Sequence, residues 1–255
     1  MPLMLHTYDH YLLAAVALLG TLGACGVMLW LGHSRLAPTI RAFRGLSPPF
    51  VNVIGVLFAL TLAFLANDTW NAHDRATNAV YQEAGALRSI QALTRHLPDQ
   101  TRARVDEALQ RYLRMTVEDE WPRLAHRQGS PETSEALAAL LEVLSAADVA
   151  KGLQATSHAQ VLEQAIHVRG AREQRMALSQ THVNPLKWLG MAFLGLVTMV
   201  SIAMVYVDQP KAELLAVMLF AAAAAPTAAI VLVQGNPYLE PSAVKPAPLA
   251  ELVRR

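Results

Sequence analysis

The chain has a single cysteine, Cys25, among its 255 residues. One thiol excludes an intramolecular disulfide and any cysteine-pair metal site, so the protein must fold by packing alone. Charge is scarce too, 16% of the residues against roughly 25% in ordinary soluble domains. Signatures of catalysis are missing. The absence of GxGxxG, GxxxxGK(S/T) and HExxH removes the dinucleotide-binding, P-loop and zinc-protease classes, and no cofactor is expected. The net charge is only +1, and residues 67–183 carry 13 basic against 15 acidic side chains, a net of −2. That balance provides no electrostatic footprint for nucleic acid.

What is present is apolar sequence gathered into blocks. Four segments, Tyr11 to Leu31, Phe50 to Ala66, Trp188 to Val207 and Leu214 to Val233, lack Lys, Arg, Asp and Glu in their interiors. Each is about the length of a bilayer crossing, and in lipid a helix satisfies its own backbone. The expected fold is all-α: an integral membrane protein with four transmembrane helices and a helical extramembrane domain. Leu22-Gly23-Ala24-Cys25 has the look of a lipoprotein cleavage box. No Lys or Arg precedes it and apolar sequence continues past it, so Cys25 reads as a small lipid-phase residue.

The stretch from Phe50 to Leu97 organises the rest. It is apolar to Ala66, turns polar at Asn67-Asp68, and keeps helical rhythm with no proline between Pro49 and Pro98. As one helix it spans roughly 70 Å at about 1.5 Å per residue, against a hydrocarbon core of about 30 Å. The second membrane helix is therefore expected to continue into water. Within it Gly55, Ala59 and Ala63 recur every fourth residue, a stripe that lets another helix approach closely. Two apolar faces remain, Val53, Leu57, Leu60 and Phe64, or Ile54, Phe58, Thr61 and Leu65. One of them can line a hydrophobic constriction that gates by dewetting, and Val53, Leu57, Leu60 and Phe64 are the pore-lining candidates. The plain alternative for each residue is lipid contact or packing within the subunit.

Beyond the membrane, Val80, Ala84, Leu87, Ile90 and Leu97 maintain an apolar stripe. Asp99 is an expected N-cap for a helix over Gln100 to Glu120, which Glu120-Trp121-Pro122 should break or kink. Ser130-Pro131 should cap another helix, and a last helix should run from Gln154 to His182. The expected division is residues 1–66 for membrane helices 1 and 2, 67–185 for the helical domain, 186–234 for helices 3 and 4, and 235–255 for a proline-rich tail. With the N-terminus cytoplasmic, nine basic residues (Arg75, Arg88, Arg169, Arg172, Arg175, Lys187, Lys245, Arg254, Arg255) lie inside and four (Arg35, Arg41, Arg44, Lys211) outside. The positive-inside rule then puts both termini and the helical domain in the cytoplasm.

Candidate polar sites are few. Arg169, Arg172 and Arg175 recur every third residue and are candidates for an anion path, or simply for ion pairing with neighbouring glutamates. Glu118-Asp119-Glu120 reads as a solvated helix face. His73-Asp74 near Asp68 is a weak corner for a metal, and no metal site is assigned.

The segment NVIGVLFALTLAFLANDTWNAHDRATNAVYQEAGALRSI, together with Glu120-Trp121-Pro122, the Arg169 to Arg175 stretch before Pro185 and Trp188, and Asn236-Pro237-Tyr238, resembles the bacterial bestrophin-like domain family. What the resemblance implies is a similarity to bestrophins: four spans, long second helices reaching the cytosol, and a five-fold ring around an anion pore lined by the second span. The bestrophin calcium site, an acidic cluster after the last span, has no counterpart in a tail holding only Glu240 and Glu251, so calcium gating is not implied. The leading expectation is a homo-oligomeric, pentameric channel-like protein of the bacterial inner membrane, with the lipid bilayer and small anions as partners. Its rival is a non-conducting scaffold or sensor whose helical domain recruits another protein. A membrane enzyme ranks third, for want of a nucleophile–base or metal-ligand set.

Overall fold

A computed structural model of the chain describes residues 47–180, 185–206, 208–233, 235–240 and 242–253, plus helical positions 19, 20, 23, 26, 27 and 30. Most of the first expected span, Cys25 and the connector arginines Arg35, Arg41 and Arg44 lie outside the described residues. Helices are numbered here from the long one: α1 (Ser47–Leu93), α2 (Asp99–Arg114), α3 (Trp121–Leu124), α4 (Pro131–Ser145), α5 (Ala147–Gly152), α6 (Ala155–Ser179), α7 (Pro185–Tyr206), α8 (Pro210–Val233) and α9 (Ala247–Ala250). A π-helical turn, Met115–Glu120, joins α2 to α3. No strand occurs among the described residues. Among the described residues three helices are long and apolar enough to cross a bilayer, over Pro49–Leu93, Leu186–Tyr206 and Pro210–Val231. The protein is an all-α membrane protein.

The 47 residues of α1 begin with Pro48 and Pro49 in the first turn, where a missing N–H costs nothing. The helix stops at Leu93, earlier than the expected Leu97. Leu97 precedes Pro98, a position where helical backbone is disfavoured, and its N–H closes a turn onto the Thr94 carbonyl at 3.1 Å. Asp99 is not the cap of α2. Pro98 holds that position without a side-chain bond, and Asp99 instead pairs with Arg102 at 2.7 Å. At Glu120-Trp121-Pro122, where a break or a kink is expected, the chain does not leave helical structure but departs from the α-helix. The chain absorbs the proline through the π turn, in which the Trp121 N–H bonds the Thr116 carbonyl five residues back, a wider turn than the α-helical one. Ser130 caps α4 as expected, its Oγ accepting from the Thr133 N–H at 3.0 Å.

The chain forms two compact units. The first comprises residues to Trp70 and from His182 to Gly235. There α7 and α8 pack together after the tight turn at Gln209, and Phe58, Leu65, Met191, Ala228 and Val231 form the core. Phe58 meets Phe220 with ring centroids 5.3 Å apart. Gly195 makes room for that ring, since a Cβ there would lie 3.2 Å from the Phe58 edge. The second unit comprises Asn71–Thr181 and Asn236–Arg255. Its core gathers Val80, Leu87 and Ile90 of α1, Leu109 and Leu113 of α2, Leu140 and Leu144 of α4, and Val161 and Val168 of α6. Tyr238, Val244 and Leu249 of the tail join the same core, so the C-terminal segment is a packed part of the helical unit.

Candidate functional site

The α1 helix decides between its two apolar faces. Phe58 and Leu65 are buried against α7 and α8. Val53, Leu57, Leu60 and Phe64 point away from that core, with exposures of 60%, 48%, 50% and 68%. Four large apolar side chains at helical spacing thus stay outside the core formed by the described residues, in a helix long and apolar enough to span a bilayer. The small-residue stripe likewise meets no close helix among the described residues. Ala59 and Ala63 are exposed, and a Cβ built at Gly55 meets nothing within 4 Å. At the polar end of the unit, Asp68 accepts a charge-assisted bond from the Lys187 Nζ at 2.5 Å. The boundary carboxylate is therefore paired rather than merely hydrated.

The three arginines have different surroundings. Arg169 is exposed and reaches Glu173 one turn on, at 2.8 Å. Arg172 donates from Nε to both oxygens of Glu120, at 3.2 and 3.1 Å, and from Nη2 to the Ser134 hydroxyl at 2.9 Å. Arg175 is fully buried, with Nε 3.0 Å from Glu83 Oε2 and Nη2 3.2 Å from Oε1. Its Nη1 lies 2.9 Å from Glu120 Oε1 but without hydrogen-bond alignment, an ionic contact only. Each guanidinium is thus held by a carboxylate of its own chain, the ion-pairing arrangement rather than an open row of cations.

Glu83 and Glu120, both wholly buried, belong to this set, and neither was legible as such. Glu120 in particular is not part of a solvated acidic face. Every fourth residue from Thr116 through Glu120 to Leu124 is buried. Four residues overshoot an α turn of 3.6, but the wider π turn keeps them close to one face. Tyr112 donates its hydroxyl to Glu83 at 2.5 Å. Burial, then the Glu83 charge, hold the Tyr112 phenol well above its ordinary pKa. Burial works against the Arg175 cation, but Glu83, Tyr112 and Glu120 outweigh it, so the guanidinium stays charged. The guanidinium also lies 5.1 Å from the Trp121 ring centroid, where a cation–π attraction adds to the pairing.

The tail closes over this cluster. Tyr238 meets Trp121 edge to face at 5.6 Å, the Trp121 indole donates to the Val244 carbonyl at 3.2 Å, and the Asn236 amide caps the Leu124 and Ala125 carbonyls, each at 3.2 Å. The spacing Asn-Pro-Tyr was the available signal for this latch. Among the described residues no group of three His, Cys, Asp or Glu side chains could hold a metal ion, so His73 and Asp74 form no such site there.

This geometry agrees with what the chain is similar to. A solved variant of a bacterial bestrophin homologue from Klebsiella pneumoniae shares the fold with a TM-score of 0.65 at 13% identity, covering 96% of each chain. A second variant of the Klebsiella protein gives 0.63 at 13% identity over 94% of this chain and 96% of that one. A structure described as a membrane protein gives 0.66 at 12% identity over 94% and 96%. No curated protein matches the sequence. The Bestrophin-like domain model matches residues 18–249, nearly the whole chain, and the protein therefore belongs to the bestrophin-like family.

Proposed function

We propose that the chain assembles with copies of itself, five by analogy with bestrophins, into a channel-like protein of the bacterial inner membrane, with an ion path lined by α1. The supporting observation is the exposed face Val53, Leu57, Leu60 and Phe64, turned away from a well-packed core on the same helix. Arranged around an axis, such side chains form a constriction that passes ions when wet and stops them when dry. The stripe Gly55, Ala59 and Ala63 lies beside that face and suits close approach of a neighbouring subunit. Small anions are the cargo that the analogy supplies. Arg169, Arg172 and Arg175, each held by a carboxylate, add nothing to it. The helical unit and both termini are placed in the cytoplasm on the distribution of basic residues.

The test is reconstitution of the purified protein into planar bilayers under a chloride gradient, with Leu57→Ala and Phe64→Ala beside the parent. The reading expects discrete currents whose conductance changes in both variants. Silence from well-folded oligomers of all three would overturn it.

A second reading, a scaffold or sensor, draws on one feature of the helical unit. A groove of about 700 Å³ is lined by Gln82, Gly85 and Ala86 of α1 and by Gln164, His167 and Gly170 of α6, among others. Amide-rich concavities of this kind suit a polar protein segment, and silent oligomers that still bind a cytosolic partner would favour it.

A further inference from the structure

The exposed face of α1 does not end with the apolar residues. Continuing from Val53, Leu57, Leu60 and Phe64, the same face carries Asn67, Asn71, Asp74, Asn78 and Gln82, all exposed. From Val53 to Gln82 is 29 positions in eight steps, about 3.6 residues per step, the α-helical repeat. The stripe therefore stays on one side of the helix. It carries no Lys or Arg at any of its nine positions, although Arg75 and Arg88 are exposed on the same helix.

Asparagine and aspartate are poor residues for a helix interior, because their short polar side chains compete for the backbone. They are tolerated when they bond locally, as Thr61, Thr69 and Ser89 do to the carbonyls four residues back. None of the five stripe residues does this. Among the described residues they make no hydrogen bond or ion pair at all. Asn67, Asn71, Asp74 and Asn78 are thus four unfavourable helix residues aligned on the exposed side of α1, with Gln82 continuing the line and no side-chain bond among the described residues taking them up.

We propose that this stripe is the polar continuation of the ion path, and that Asp74 is its charge-discriminating residue. The inference rests on the reading of α1 as the path lining. The amides offer both donors and acceptors and can replace the water of an ion of either sign. Asp74 offers only acceptors and a negative charge, so it attracts cations and opposes anions, as acidic rings do in channels, and at this point the path departs from the anion cargo that the analogy supplies. Arg75 lies about 100° round the helix and flanks the stripe instead of standing on it. Charge preference is thereby assigned to Asp74 and not to Arg169, Arg172 or Arg175.

The experiment records the full-length protein in planar bilayers under a potassium chloride gradient and reads the reversal potential. The variants are Asp74→Asn, isosteric at an exposed position, Asp74→Lys, Arg75→Gln and Leu57→Ala. Loss of one unit charge about 6 Å from a hydrated ion shifts the chloride and potassium permeabilities roughly threefold each, in opposite directions, so Asp74→Asn should raise the chloride-to-potassium permeability ratio roughly tenfold. Asp74→Lys should raise it further, and Arg75→Gln should move it less. An unchanged ratio in both Asp74 variants, with Leu57→Ala still altering conductance, would overturn the role of Asp74 and leave the α1 path standing. Silence of the parent would overturn both.

Discussion

The two units of this chain handle the same problem, the placement of groups their surroundings do not welcome, in opposite ways. The helical unit takes Arg175, Glu83, Glu120 and Tyr112 completely out of water and answers each inside the chain with charge or a hydrogen bond. The membrane unit buries a modest apolar core around Phe58 and Leu65 and leaves Val53, Leu57, Leu60 and Phe64 on its outside. In water that exposure would be costly. In lipid, or against another subunit, apolar surface carries no such penalty, because hydrocarbon is as good a neighbour as leucine. The contrast teaches where each unit is sensitive. The helical unit should be sensitive to the loss of a partner, whereas the exposed face of the membrane unit should respond in function more than in stability.

The largest effect expected is in the ionic cluster. Arg175→Met leaves Glu83 and Glu120 buried with much of their counter-charge gone, a loss of about 3–5 kcal/mol. It should appear as a large fall in the unfolding midpoint followed by the fluorescence of Trp121 and the other tryptophans. Adding Glu83→Gln to Arg175→Met should cost less than the sum of the two single changes, since both act on one network. A sum that simply adds would break the picture of a coupled cluster.

Next comes a matched pair within the membrane unit. Leu65→Ala, at a position only 2% exposed, opens a cavity and should cost about 2–5 kcal/mol. Leu57→Ala, on the free face, should change subunit stability by less than about 0.5 kcal/mol while altering conductance. Thermal unfolding in detergent separates them, and equal losses would show that the outward face is packed after all.

Tyr112→Phe should cost about 1.5–3 kcal/mol at neutral pH, for a hydrogen bond to a charged acceptor. The same variant has a pH signature. The folded-state phenol titrates above its unfolded value near 10 because burial, chiefly, and Glu83 oppose the phenolate. The stabilising contribution is complete below about pH 10 and is lost as pH rises from there through the folded-state value. Unfolding curves across the alkaline range should therefore be flatter for Tyr112→Phe than for the parent. The smallest effect belongs to the tail. Asn236→Ala removes two caps from the Leu124 and Ala125 carbonyls, about 1–2 kcal/mol, and should show as faster amide exchange in residues 236–253. Exchange unchanged from the parent would mean that the tail is held by Tyr238, Val244 and Leu249 alone.

Parts of this architecture were written in local pattern. The uninterrupted rhythm from Pro49 marked one long helix, the charge-free blocks marked the α7 and α8 spans, and Ser130-Pro131 marked the start of α4. Local rules misplaced the end of α1 and the passage through Pro122. At Pro122 a π turn that leaves Glu120 buried carries the chain where a break or a kink was expected.

What the sequence by itself determined is the class of molecule: helices of membrane length, a long α1, and bestrophin-like membership, all consequences of composition, spacing and motif along a single chain. Only the tertiary structure decided which face of α1 is used up inside the subunit. The two faces are equally apolar, and what distinguishes them is that Phe58 finds Phe220 and the gap left by Gly195. Tertiary structure also turned the candidate surface cations Arg172 and Arg175 into partners of the buried Glu120 and Glu83, 52 and 92 residues distant in sequence, with Arg172 partly and Arg175 fully buried. The physical reason is the same in both cases. Periodicity reports how a residue is oriented on its own helix, but an ion pair or a packed ring depends on what another helix brings opposite it.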